Sequence, residues 1–324
     1  MSVSVIIAAF NAEACIARAI ESLRQQASPP LEVIVADDAS TDSTRDVVRR
    51  LQKAWPAIKM IELEDNGGPS RARNRAIEAA VGDWIAILDA DDFYKPPRLE
   101  RLEKLGEATG ADIIADNLVL FDDAADAEGR LGFRVEWSIR EISLVEFLAN
   151  AIPEATEFNY GILKPLIRRG FLTKSGLRYD EQIRYGEDVQ LYAEMLFNKA
   201  SMWLSSEAMY VYSTRVGEIS GVDNKHSRSA PRFDLIAEAN ELLLRKYDSR
   251  CDAAIRQVIK RRGARLRAVH LANIARTHRK SGNLAKYALS VLLHPGLLQL
   301  LLLRTGRRAQ AMARRRLARG VVHA

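Results

Sequence analysis

Cysteine is nearly absent: Cys15 and Cys251 are the only two in 324 residues. That is too few for a disulfide framework or a zinc cluster, so both read as thiols of a reducing compartment. No stretch of about 18 uninterrupted apolar residues occurs, which excludes a clear membrane-spanning helix. The start, Met1-Ser2-Val3-Ser4-Val5, lacks the basic opening and small-residue cleavage site of a signal peptide. The expected setting is therefore intracellular, soluble or bound to a surface. Acid is missing from one end only. Residues 245–324 hold 20 Lys/Arg against Asp248 and Asp252, net +18, whereas residues 1–244 hold 28 Lys/Arg against 40 Asp/Glu, net −12. Two nucleotide-binding signatures are also missing. There is no Gly-x-x-x-x-Gly-Lys run, which rules out a Walker loop. The first strand does not lead into Gly-x-Gly-x-x-Gly, which argues against a dinucleotide oxidoreductase.

What is present is an alternation of two periods. Val3–Ala9, Leu31–Ala36, Ile58–Leu63 and Asp83–Leu88 are short apolar runs that suit strands buried on both faces. Between them Ala12–Gln26, Thr41–Ala54 and Pro69–Ala80 carry apolar residues at helical spacing, with Pro69 in a first turn where a missing N–H costs nothing. This order predicts right-handed βαβ units and a mostly parallel sheet. Farther on, Ile113–Phe121 and Phe133–Trp137 are expected strands around an acidic loop (Asp122–Gly129), and Glu187–Asn198 is an expected helix. The chain divides into a region 1–225 and a helical, basic region 226–324.

Ligands of such sheets bind beyond the carboxyl ends of the strands, and polar clusters sit at all four ends. They are Ala9-Phe10-Asn11-Ala12-Glu13, Asp37-Asp38-Ala39-Ser40-Thr41-Asp42, Asn66-Gly67-Gly68-Pro69-Ser70-Arg71-Ala72-Arg73-Asn74, and Asp89-Ala90-Asp91-Asp92. Asp89 and Asp91, two apart in an extended chain, would face one point. Two carboxylates that close repel unless a cation lies between them, and oxygen-only ligands favour Mg²⁺ or Mn²⁺, with a diphosphate completing the shell. Phe10 offers a ring to stack on, and Asp38 an acceptor for the imide N–H of a uracil-like base.

Taken in order and spacing, these motifs resemble those of the family 2 inverting glycosyltransferases with the GT-A fold. They are most similar to bacterial exopolysaccharide transferases of the succinoglycan type, over about residues 1–215. The resemblance implies a nucleotide-diphosphate sugar donor. It places Ala8, Phe10, Asn11 and Glu13 along the nucleotide, Asp38 at the base, Gly68, Arg71 and Arg73 near nucleotide and phosphates, and Asp89 and Asp91 at ribose and metal. Ala8 stands where the family often has proline, and Ala39 where it usually has glycine, a residue that commonly serves φ > 0.

Removing the acceptor's proton calls for a positioned carboxylate or histidine. All five histidines fall at or beyond His226. In Tyr185-Gly186-Glu187-Asp188-Val189 two acids open a helix, where the dipole favours them. The resemblance makes Asp188 the base and gives Glu187 acceptor binding or support. Attack opposite the leaving group would invert the anomeric centre. The Gln-x-x-Arg-Trp motif of processive synthases is missing, since Gln257 is followed by Lys260 and Arg261, so one sugar per encounter is expected.

Near the end, Leu289–Leu303 is interrupted by His294-Pro295-Gly296 and followed by Arg304-Thr305-Gly306-Arg307-Arg308 and Arg314-Arg315-Arg316. Apolar residues beside arginines can lie in a membrane interface, each cation contributing about 1 kcal/mol near an anionic leaflet. The expected location is the cytoplasmic face of the inner membrane, with a lipid-linked oligosaccharide as acceptor, UDP-glucose as donor, and the C-terminal helices also available for a homodimer contact. No aromatic interleaving supports nucleic-acid binding. The rival readings are a sugar-phosphate nucleotidylyltransferase, which would need a glycine-rich basic loop after strand one, and a non-catalytic scaffold of the same fold.

Overall fold

The computed structural model describes residues 2–123, 125–152, 159–214, 232–283 and 286. Its first half is β1 (Val3–Ala9), α1 (Ile16–Arg24), β2 (Glu32–Asp37), α2 (Thr44–Ala54), β3 (Ile58–Glu62), α3 (Pro69–Ala79) and β4 (Trp84–Asp89). These strands lie in the order β3-β2-β1-β4, all parallel. Val5, Ile6 and Ile7 are wholly buried, so helices cover both faces of β1, and each isoleucine there contributes about 1.5–3 kcal/mol of burial. The register sets Ala8 beside both Ala36 and Asp89.

Helices α1 and α2 begin four and three residues later than their apolar spacing predicts (Ile16 for Ala12, Thr44 for Thr41). The residues preceding them are tied to each other instead. Ala12 N–H donates to Thr44 Oγ1 at 2.7 Å, Thr41 N–H to Asn11 Oδ1 at 2.8 Å, and Ser43 N–H to Glu13 Oε2 at 2.8 Å. Short polar side chains here out-compete the helical ladder for backbone groups.

The second half runs β5 (Phe93–Tyr94), α4 (Arg98–Thr109), β6 (Ile113–Asp122), β7 (Ala127–Leu131), β8 (Ile139–Glu141), α5 (Leu144–Asn150), β9 (Leu166–Arg168), α6 (Arg169–Ser175), α7 (Glu187–Phe197) and β10 (Met202–Thr214). The sheet continues past β4 through β9, β6, β10 and β5. β9 is antiparallel to both β4 and β6, while β10 is parallel to β6. Phe133–Trp137 does not form a strand. The segment that follows β6 and pairs back onto it is β7, every residue of which is exposed, so it carries no apolar alternation to read. Phe133 is a buried plug instead, its backbone N–H and C=O both bonded to the Asn117 side chain at 3.1 and 2.9 Å.

Two helices follow, α8 (Phe233–Lys246) and α9 (Ala253–Lys280), the latter capped by Asp252, which accepts from Ile255 N–H at 2.8 Å. Leu243, Tyr247 and Ile259 belong to the same core as the sheet. Phe233, Ala237, Leu266 and Val269 form a smaller cluster with Ile152. No helix among the described residues is long and apolar enough to cross a membrane. The expected boundary at 225/226, the leucine-rich Leu289–Leu303 and the arginine clusters after it lie outside the described residues.

Candidate active site

The strand ends of β1 to β4 and the head of α7 meet at one edge of the sheet. Asp38, just past β2, is 3 % exposed. Its two carboxylate oxygens accept the backbone N–H groups of Gly67 and Gly68 at 2.8 and 2.7 Å. The acid thus clamps the loop after β3 against the loop after β2. Gly68 is the N-cap of α3 with φ +90°, and a Cβ there would come within 2.5 Å of an Arg184 guanidinium nitrogen. Only glycine fits both demands. Asn11 and Glu13 brace the same rim through the bonds to Thr41 and Ser43 given above. Phe10, just past β1, is 37 % exposed beside this rim.

The two arginines of the third cluster part company. Arg71 lies toward solvent and pairs with Asp65 at 2.8 Å. Arg73 turns inward, is 5 % exposed, and reaches Asp89 at 2.8 Å, Glu187 at 2.9 Å and Asp188 at 3.5 Å. A second buried cation completes the centre. Lys164 Nζ lies 2.8 Å from Asp89 Oδ2 and 2.7 Å from Asp188 Oδ2. The other oxygen of Asp188 accepts the Tyr179 hydroxyl at 3.0 Å. Tyr179 is itself pinned to α3, because its N–H and C=O both bond the Asn74 side chain at 2.9 Å. Three carboxylates, from the end of β4 and the start of α7, are thus held by two cations.

The electrostatics follow from burial opposed by charge. Burial alone would raise the Asp89 carboxyl, but Lys164 and Arg73 outweigh it and hold it far below the usual carboxylate range. Burial would lower Lys164 and Arg73, and the surrounding carboxylates, Asp188 and Asp89 foremost, lift both well above their ordinary values instead. Glu187 goes the other way: burial and then the charge of Asp188 raise it despite Arg73 and Lys164. Burial and the charge of Asp188 also raise Tyr179, which keeps its hydroxyl a donor.

The acidic turn differs from the extended pair expected. β4 stops at Asp89, and Asp92 N–H closes a turn onto the Asp89 carbonyl at 3.1 Å. Asp92 is buried, bonded by the Tyr210 hydroxyl at 2.6 Å and Ser213 N–H at 2.8 Å, so it caps no helix. Burial and the nearby Asp91 and Asp89 push its carboxyl well up. Arg18 of α1 grips the turn from outside, donating to the Asp91 carbonyl at 2.9 Å, Ser213 Oγ at 2.8 Å and Asp123 at 2.7 Å. Among the described residues no three His, Cys, Asp or Glu gather as a ready metal cage. Both Asp89 oxygens are engaged by cations. Asp89 and Asp91 offer oxygen donors only, which is the chemistry a hard divalent ion takes, and a diphosphate and water would have to complete its shell.

Sequence reasoning brought Arg73, Asp89, Glu187 and Asp188 to one place, as the structure does. It missed Lys164, Tyr179, Arg18 and Arg184. For Lys164 a signal exists: a lone cation inside the apolar Leu163–Ile167 stretch, 6 % exposed, is a charge that must be paired. For Tyr179 no signal exists, since its role depends on Asn74 in a distant helix.

Comparison with known proteins bears on this arrangement. The model of "Glycosyl transferase family 2" matches residues 4–171. The succinoglycan biosynthesis protein ExoO of Rhizobium meliloti (strain 1021) is 36 % identical over 249 residues, 76 % of this chain and 68 % of that protein. ExoU of the same organism is 37 % identical over 263 residues, 79 % and 73 % of the two chains. Among solved structures, S. aureus TarS 1-349 in complex with UDP-GlcNAc superposes with a TM-score of 0.63 at 22 % identity, over 80 % of this chain and 70 % of that one. The mannosyltransferase PcManGT from Pyrobaculum calidifontis, in complex with GDP-Man and Mn²⁺, gives 0.58 at 19 %, over 91 % and 81 %. These likenesses bear out the α/β fold: a GT-A-like central sheet flanked by helices, with a helical C-terminal extension.

Proposed function

The chain belongs to glycosyl transferase family 2, and from that premise we propose that it transfers a single hexose from a nucleotide-diphosphate sugar, UDP-glucose, to a lipid-linked oligosaccharide during exopolysaccharide assembly of the succinoglycan kind. One observation carries the reading: Arg73 and Lys164 join the carboxylate that ends β4 to the acid pair that opens α7. A donor-side acid and a candidate base thereby stand at a fixed separation, which is what a direct displacement requires. The relatives named for succinoglycan biosynthesis supply the biological context.

In this reading the nucleotide lies over the rim, along Ala8, Phe10, Asn11, Glu13 and Asp38, with Gly68, Arg71 and Arg73 toward the diphosphate and Asp89 toward the ribose. Mg²⁺ or Mn²⁺, held by Asp91 and Asp89, would supply neutralisation of the departing diphosphate. Asp188 takes the acceptor proton. Its two oxygens offer about four lone-pair positions, so Lys164 and Tyr179 can stay bonded while the acceptor hydroxyl uses a free one. Glu187, held at one oxygen by Arg73, orients the acceptor. Attack from that side inverts the anomeric centre. The basic C-terminal region docks on the anionic cytoplasmic face of the inner membrane, where such an acceptor resides, and its helices provide a homodimer contact.

The test is release of UDP from UDP-glucose with Mg²⁺ or Mn²⁺ and an extract of lipid-linked acceptors. Wild-type protein turns over, and Asp188→Asn loses roughly 10²–10⁴-fold, the usual contribution of a positioned base. Full turnover by Asp188→Asn would remove the base from this account. Turnover by no sugar nucleotide at all would leave the scaffold reading.

A further inference from the structure

We propose that Lys164 is the positioning residue that sets the base against the donor site, an inference that rests on the function proposed above. Its ammonium group bridges Asp89 and Asp188, and it is the side chain that bonds directly to both the end of β4 and the interior carboxylate of α7 at under 3 Å. Arg73 reaches Asp188 only at 3.5 Å.

The backbone of Lys164 is fixed from behind. Arg98, wholly buried, donates to the Lys164 carbonyl at 2.5 Å and forms a two-pronged pair with Asp116, closest approach 2.8 Å. Pro165 follows, and its carbonyl accepts Ile87 N–H of β4 at 3.4 Å. The residue is therefore anchored to α4, β4 and β6 before its side chain begins, and only the four-carbon stem separates that anchor from the two acids. Proline at 165 also restricts the backbone of 164 to extended conformations.

A buried ammonium makes three directed bonds and no acceptor contact. Hydrogen-bonded to Asp188 at 2.7 Å and ion-paired with Asp89 at 2.8 Å, it fixes the distance between the carboxylate nearest the donor and the carboxylate that takes the proton. Without it, Asp188 keeps Tyr179 and the longer Arg73 contact, both at Oδ1, and Oδ2 loses the cation that aims it. Asp89 keeps Arg73 alone. The chemistry tolerates little of this, since about 1 Å of misplacement costs on the order of 10²-fold in rate.

The experiment is a kinetic double-mutant cycle on the full chain with UDP-glucose, a divalent ion and the acceptor extract. Lys164→Met keeps length and removes charge. It is expected to lower kcat roughly 10²-fold while the donor KM moves less than about threefold. Lys164→Arg, which restores charge with a different reach, is expected to recover about tenfold of that loss. On top of Asp188→Asn, Lys164→Met is expected to cost less than about threefold further, because a residue acting through the base has nothing left to act on. Multiplicative losses in the double variant, or a kcat for Lys164→Met within threefold of wild type, overturn the proposal. Should Lys164→Met fail to fold, Lys164→Gln in the Asp188→Asn background, where the burden of unpaired charge is smaller, decides the same point through the same non-additivity. If the wild-type chain turns over no sugar nucleotide, the functional reading falls and takes this inference with it; if wild type turns over and the lysine variants do as well, the inference falls alone.

Discussion

The rim of the site and its centre hold their acids by opposite means. On the rim, backbone N–H groups do most of the holding: Gly67 and Gly68 bond Asp38, Ser43 bonds Glu13, Thr44 bonds Asp42 at 3.0 Å, and Ser40 bonds Asp37, which Arg45 also pairs. In the centre, side-chain cations do it: Arg73 and Lys164 bond Asp89, Glu187 and Asp188. A backbone donor is set by the path of the chain and cannot leave. A guanidinium or ammonium can redirect a bond to another anion as one arrives, and it carries a full charge in a dry setting, where charge counts for more. In the function proposed above, the rim would carry the nucleotide on fixed groups, and the centre would answer an incoming phosphate or a moving proton.

Asp91 stands between the two regions and gives the sharpest break. Asp91→Ala removes one of the acids on which the divalent ion is proposed to rest, while the turn stays fixed by Arg18 at its carbonyl and by Tyr210 and Ser213 at Asp92. Donor binding measured by calorimetry should lose its dependence on Mg²⁺ or Mn²⁺ entirely, with an unchanged circular dichroism spectrum. Metal-dependent binding that survives would move the ion elsewhere.

The next effect compares the two arginines of one motif. Arg73→Met, at a buried guanidinium, strips a partner from one buried acid and two half-buried ones and is expected to cost up to about 3–5 kcal/mol in urea unfolding, the range for breaking a buried ion pair from one side. Arg71→Met, on the exposed pair with Asp65, is expected to leave the unfolding midpoint where it was. Equal effects would mean that the centre is as well solvated as the rim.

That contrast also marks what the sequence could and could not carry. The three βα turns and the turn after β4 were legible because each strand is an apolar run that ends on polar residues, and local chemistry alone imposes that. The acids at the centre were legible as members of ordered motifs. That Arg73 turns inward and Arg71 outward was not, because both sit two apart at the start of one helix and only α3's rotation against β1 and β2 distinguishes them. Lys164 went unread because its partners, Asp89 and Asp188, lie on either side of it in sequence and far from it. Phe133–Trp137 was misread because its apolar residues fill the core from a loop, whereas the true edge strand Ala127–Leu131 is exposed throughout and shows no apolar alternation.

A smaller effect belongs to the rim clamp. Asp38→Asn keeps the shape of the side chain but turns one acceptor into a donor facing either Gly67 or Gly68 N–H. One buried backbone N–H then lacks its bond, at a cost of about 1–3 kcal/mol. The loss should show in hydrogen exchange as faster opening of the loop at Gly67 and Gly68, with the amides of β4 keeping their protection. Faster exchange throughout the sheet would show instead that rim and centre open as one unit.

The smallest expected effect has the opposite sign. Ala39 sits on the rim at φ +59°, one of four described non-glycine residues with positive φ, and it occupies the position where the related motif usually has glycine. An L-residue in this conformation is strained by about 1–2 kcal/mol. Replacing it by glycine removes the strain but loosens the unfolded chain, which costs about 0.5–1 kcal/mol. The balance favours Ala39→Gly by about 0–1.5 kcal/mol, a small rise in urea midpoint with no change in slope. The conformation is imposed by bonds on either side, Asp38 N–H to the Ala9 carbonyl at 2.8 Å and Ser40 N–H to Asp37 Oδ2 at 3.0 Å, so the loop cannot relax without breaking one of them. A destabilised Ala39→Gly would mean that those bonds are too weak to enforce the strain, and that the rim is held by its side chains after all.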